Sequence, residues 1–197
     1  MRVGLLSDTH IPVAPILFPE IKDALRGCDL ILHAGDIVLS RVLDELEEIA
    51  PVYAAQGNHD GHLSEDPRVK PVHMLDLEGF TVALLHVFEP WDSGKPWLSG
   101  LLGGAWADIM VSGDSHLEQM AVVEGSLMIN AGSATMPRNR APKPGHIGYL
   151  TLERGKAPVG ELYHLPDLEH PLYKMEGTVP TGENAQYALH RHEPARA

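Results

Sequence analysis

Thiols are nearly absent from this chain: among 197 residues there is a single cysteine, Cys28. An internal disulfide framework is therefore excluded, and the composition suits a reducing cytoplasm. Long apolar runs are missing too. The longest candidate, "FTVALLHVF" at 80–88, stops after nine residues, about half of what a membrane-spanning helix needs. The opening "MRVGLLSD" reaches a charge too soon for a signal peptide, so no membrane association is expected. Positive charge is scarce, with 15 Lys and Arg against 27 Asp and Glu and a formal net charge of -12. That balance disfavours binding of duplex nucleic acid. An anionic substrate must then rely on local positive charge, such as bound metal ions, rather than on the overall field.

What is present points to one compact α/β domain with ample length for a core. Residues 1–7 and 29–36 read as buried strands, 16–27 and 40–50 as helices, and 51–60 as a third strand running into a loop. Ser40 is the expected N-cap of the second helix, whose Val42, Leu43, Leu46, Ile49 and Ala50 share one face. This alternation predicts a parallel sheet with right-handed crossovers. Apolar runs at 80–87 and 107–113 suggest further strands, and 117–125/126–132 and 146–153/158–165 suggest hairpins. The stretch 88–106, rich in Gly, Pro and Trp, reads as a loop with a short helix bordering a site. The domain is expected to span 1–165, with 166–197 an irregular tail that could reach across a homo-oligomer.

Histidine is frequent, at twelve residues, and its placement is patterned. "SDTH" at 7–10 and "SGDSH" at 112–116 each set Asp two residues before His after an apolar run. Five loops after five expected strands carry metal-capable side chains: Asp8 and His10, Asp36, Asn58 and His59, His86, and Asp114 and His116. In a parallel α/β sheet such loops converge on one rim. Carboxylates and imidazoles without thiolates suit divalent ions such as Mn²⁺, Fe²⁺ or Zn²⁺. A lone His at a strand end is more often a hydrogen-bonded structural residue, and His33, which precedes its loop, takes that reading.

"SDTH", "HAGD", "GNHD" and "INAGSATMPR" resemble, in order and separation, the compact calcineurin-like metallophosphoesterases over about residues 1–153. The resemblance implies a four-layer sandwich of two mixed β-sheets flanked by helices. It further implies two divalent ions sharing a bridging aspartate and a bridging hydroxide. On that pattern Asp8, His10 and His116 hold the first ion, Asp36 bridges, and Asn58 and His86 hold the second with position 114. His59 is then the general acid. Mn²⁺ is the expected ion, with Fe²⁺, Zn²⁺, Ni²⁺ and Mg²⁺ as alternatives, and a small phosphodiester, nucleotide-like in character, is the expected substrate.

The family usually writes Gly-His-Thr-His where this chain has Gly113-Asp114-Ser115-His116. If Asp114 coordinates, three carboxylates and a hydroxide neutralise two dications, and the second site becomes more oxygen-rich. That favours Mn²⁺ or Mg²⁺ over Zn²⁺ there. Val87 and Phe88 follow His86 in place of the usual small and polar residues. With Trp91, Trp97 and Trp106 they could form an apolar wall for a nucleobase or aryl group, although core packing is the commoner fate of any one of them. Asn130 and Ser133 are expected to buttress the rim, and Arg138 to reach a phosphate. The competing reading is a non-catalytic scaffold, as in one eukaryotic relative, a retromer subunit that keeps the fold for protein interaction without the catalytic histidine.

Overall fold

The computed structural model describes residues 1–11, 17–88, 95–139, 142–177 and 187–191. In chain order the strands and helices are β1 (Arg2–Leu6), α1 (Pro19–Leu25), β2 (Leu30–His33), α2 (Ser40–Glu47), β3 (Val52–Ala55) and β4 (Val69–Lys70). Next come β5 (Val72–Leu77), β6 (Phe80–Leu85), α3 (Pro96–Leu101), β7 (Ile109–Ser112), β8 (Glu118–Val123) and β9 (Ser126–Ala131). The chain closes with β10 (His146–Thr151), β11 (Val159–His164), β12 (Tyr173–Gly177) and β13 (Tyr187–Arg191).

These strands form two mixed sheets. One has eight strands in the order β13-β12-β11-β10-β1-β2-β3-β4, and the other five in the order β5-β6-β7-β9-β8. In the first, β1 to β4 run parallel while β10 to β13 join antiparallel. In the second, β6, β7 and β9 are parallel, with β5 and β8 antiparallel at the edges.

The strands' period of two explains the layering. On β1, Val3 and Leu5 face the other sheet, and Leu6 faces α1 and α2. On β6, Val82 and Leu84 face inward, whereas Ala83 and Leu85 meet Leu98 and Leu102 from the α3 region. Both faces of the central strands are buried, so they read as continuous apolar runs. Three apolar clusters therefore separate four layers, as the resemblance implies. No helix among the described residues is long and apolar enough to cross a membrane.

Two local expectations need correction. Ser40 is the first residue of α2 rather than its N-cap; extended Leu39 holds that position without a side-chain cap bond. Leu39 packs on the outer core, and that contact fixes the helix entry. The segment after 165 is not simply irregular, because β12 and β13 extend the large sheet from β11. Tyr173 and Met175 turn toward the core between the sheets, while Lys174 pairs with Glu176 at 2.8 Å. Neither β4 nor β5 is among the strands expected from the sequence, and Trp91 lies outside the described residues.

Candidate metal centre

The carboxyl ends of β1, β2 and β3 in one sheet and of β6 and β7 in the other point to the same rim. The five loops that follow meet there. His10 Nε2 lies 3.0 Å from His116 Nε2 and 3.4 Å from Asp36 Oδ2. His116 Nε2 stands 3.5 Å from Asp8 Oδ1. His86 Nε2 lies 3.5 Å from both Asp36 Oδ1 and Asp114 Oδ1, and Asn58 Nδ2 donates to Asp114 Oδ1 at 2.7 Å. His59 Nε2 is 4.0 Å from Asp36 Oδ2. The resulting cleft, of about 290 Å³, is lined by His10, Asp36, Asn58, His59, Asp114, His116 and Met136.

Three of the five donor-bearing loops are bent by an unusual backbone. Asp8, His10, Asp36, Asp114 and His116 all have φ between 43° and 67°. Left-handed conformations at non-glycine residues are unfavourable, and they gather where surrounding structure enforces them. Gly57 and Gly113 make the close approach possible. A Cβ on Gly57 would collide with Asp36, and one on Gly113 with Ser7 Oγ.

The imidazoles are aimed by backbone carbonyls. His86 Nδ1 bonds Ala34 O at 2.6 Å and His116 Nδ1 bonds Met136 O at 2.9 Å. Each Nδ1 therefore carries hydrogen, which leaves Nε2 to face the centre. His33 is fully buried and bonded to Thr9 Oγ1 at 3.1 Å and to Gly35 N–H at 3.2 Å. It is structural.

The donors fit divalent cations. Both carboxylate oxygens of fully buried Asp8 lack a hydrogen-bond partner, and so does His86 Nε2. An unpartnered buried carboxylate is costly, and a cation among these atoms removes that cost. Asp8, His10 and His116 form one set of ligand atoms within 4.8 Å of each other, and Asp8, Asp36 and His86 form another. His10, Asp36 and His59 form a third. Asp36 and Asp8 each belong to two sets, as the shared carboxylate of a dinuclear site would.

Sequence reading left Asp60 without a role. It is fully buried: Oδ1 accepts the Ile37 and Val38 N–H groups and Oδ2 accepts that of Gly57, all at 2.9 Å. One carboxylate thus ties the Asp36 loop to the Asn58 loop. The available signal was an acid closing "GNHD" directly after a ligand loop. The 130–135 loop buttresses the rim as expected. Ser133 Oγ donates to Asp8 O at 2.6 Å, and Asn130 Nδ2 to Gly113 O at 2.6 Å. Thr135 Oγ1 adds a bond to Thr9 O at 2.6 Å. Arg138 instead pairs with Glu118 at 3.2 Å, and contact with a phosphate would require that pair to open.

Protonation follows from burial and neighbours. Burial pushes Asp8 up to about 6. For Asp36 burial acts upward too, but His86 and the His59 N–H outweigh it and hold the carboxyl at about 2. Burial opposes charge on His86, yet Asp36 and Asp8 push the imidazole up to about 9. A divalent ion held by these two side chains would need neutral His86 and ionised Asp8. Binding between pH 6 and 9 should therefore release the His86 proton, and affinity should rise ~10-fold per pH unit. Below pH 6 protonation of Asp8 steepens the loss. Titration calorimetry of Mn²⁺ in two buffers of different ionisation enthalpy reads this release; identical heats would contradict it.

Similarity to known proteins agrees with this geometry. The family model described as the calcineurin-like phosphoesterase superfamily domain matches residues 1–155. A probable metallophosphoesterase of Methanothermobacter thermautotrophicus is 40% identical over 146 residues, covering 72% of this chain and 82% of the relative. A phosphodiesterase of Methanocaldococcus jannaschii is 24% identical over 148 residues, or 67% of this chain and 83% of that protein. In overall fold, zinc-complexed Vps29 from Entamoeba histolytica superposes with a TM-score of 0.65 at 20% identity, covering 97% and 99% of the two chains. Motifs, layered sheets and convergent donors lead to one assignment: the chain belongs to the calcineurin-like phosphoesterase superfamily.

Proposed function

We propose that this chain is a metal-dependent phosphodiesterase acting on small phosphodiesters, with Mn²⁺ its preferred ion. The observation that carries the proposal is the convergence on one rim of eight donor-bearing residues from five loops, among them Asp8 with its buried oxygens unpartnered. Asp8, His10 and His116 would hold one ion, Asn58, His86 and Asp114 the other, and Asp36 both. When bound, such ions supply Lewis acidity toward phosphate oxygens and toward the attacking water.

The chain's own residues do the rest. Asp36, held at about 2, stays a carboxylate throughout the neutral range. Asn58 offers a neutral amide, which adds no charge opposing an anionic ester. His59 is exposed, with 63% of its side chain accessible, and its backbone N–H donates to Asp36 Oδ1 at 2.9 Å. That bond fixes the residue beside the cleft while leaving the ring free to hand a proton to a departing alkoxide. Asp114 Oδ1, near both His86 and Asn58, lies where a second-ion ligand is needed, which supports ligation despite its short side chain.

The test is a metal panel on the chelated protein, with bis-p-nitrophenyl phosphate and p-nitrophenyl phosphate as substrates. Mn²⁺ should restore turnover with preference for the diester, at two ions per chain, and Asp114→Ala should retain only one. Two ions in that variant would remove Asp114 from the ligand set. No turnover with any ion would favour the scaffold reading.

A further inference from the structure

Beside the metal cleft lies a second opening of about 240 Å³. Asn58 lines both openings, and His86 lines the second one as well as the metal centre. Its outer walls come from Gln56, Pro71, Val87, Trp97 and Leu101. Val87, Trp97 and Leu101 are 38%, 46% and 42% exposed, high values for large apolar side chains on one small patch. The other aromatics of this region behave differently: Phe88 is buried at 2% and Trp106 packs against the outer core. Trp97 is therefore the described tryptophan left at the surface.

We propose that this cleft is the subsite for a nucleobase, so that the substrate class is a nucleotide ester whose phosphate reaches the metal cleft. The inference rests on the phosphoesterase reading of the neighbouring site. Continuity supplies the first argument, since Asn58 lines both openings and His86, whose Nε2 lies 3.5 Å from Asp36 Oδ1, lines the second. Size supplies the second. The volume falls below the several hundred Å³ typical of sites for drug-sized ligands, so it suits one ring system and not a long acyl chain or a protein loop. Chemistry supplies the third. An accessible indole stacks on the flat face of any base. Gln56, whose side chain has both donor and acceptor, stands in the same wall for the base edge.

Adenosine 5′-monophosphate and ribose 5-phosphate share a phosphate and a sugar and differ in the base. Calorimetric titration of the Mn²⁺-loaded protein should show ~10-fold or tighter binding of the adenosine compound. Trp97→Ala should bring the ratio close to one, and Trp97→Tyr should keep most of it. Should Trp97→Ala fail to fold, Leu101→Arg decides, because its side chain fills the cleft from an exposed position. Equal affinities in the unaltered protein, or a ratio that survives both Trp97→Ala and Leu101→Arg, overturn the proposal. Diester turnover without base preference defeats the subsite alone. Base preference without turnover under any ion defeats the hydrolase reading alone.

Discussion

Replacing His59 with alanine should lower kcat/KM by ~10²–10⁴ on a diester with an alkoxide leaving group. The loss should be smaller on a p-nitrophenyl ester, because p-nitrophenolate departs without a proton. That contrast is the useful readout. A proton donor matters in proportion to the basicity of what leaves, whereas a residue that merely shapes the cleft would depress both substrates equally. His59 also sits within 4.8 Å of ligand atoms of His10 and Asp36, so metal content must be measured alongside. Retention of both ions with a leaving-group-dependent loss identifies the donor. Loss of an ion from His59→Ala would make it a ligand.

The second large effect should come from Asp60. Alanine there strands three N–H groups, of Ile37, Val38 and Gly57, at least two of them in buried bonds. Each stranded group costs ~1–3 kcal/mol, giving a total of about 3–6 kcal/mol allowing for relaxation. At ~2–4 °C per kcal/mol for a chain of this size, Tm should fall by ~6–24 °C. Asp60→Asn, which keeps two acceptor bonds at best, should lie between. Metal affinity should fall in parallel, because Asp36 and Asn58 lose their common anchor. A Tm within 2 °C of the parent in Asp60→Ala would refute this account of the loop pair.

Much of this was readable from the residues. Val42, Leu43 and Leu46 fixed the buried face of α2, and the apolar runs before Asp8, Asp36 and Asp114 marked the strands that carry them. What escaped were features whose cause lies outside the segment. β5 alternates weakly, with Met74 exposed and His73 bonded to Ala54 O at 3.0 Å, so its own composition did not announce a strand. β12 and β13 hold charged residues and exist because β11 offers a free edge. The left-handed backbone at His10 and His116 is likewise imposed by neighbours, here by bonds such as His10 N–H to Asp36 O at 3.0 Å. Asp60 shows the same limit: its bond to Gly57 N–H is local, but those to Ile37 and Val38 join groups that only folding brings near.

The centre straddles a seam. Asp8, His10, Asp36, Asn58 and His59 ride on the large sheet, and His86, Asp114 and His116 on the small one, with Leu5, Leu32, Leu84 and Val111 filling the joint. Ions held by these residues would act as rivets between two plates, and slippage of the plates would pull their donors apart. The proposed metal site thus depends on the alignment of the two sheets, so a softened joint far from the rim should weaken metal binding at the rim.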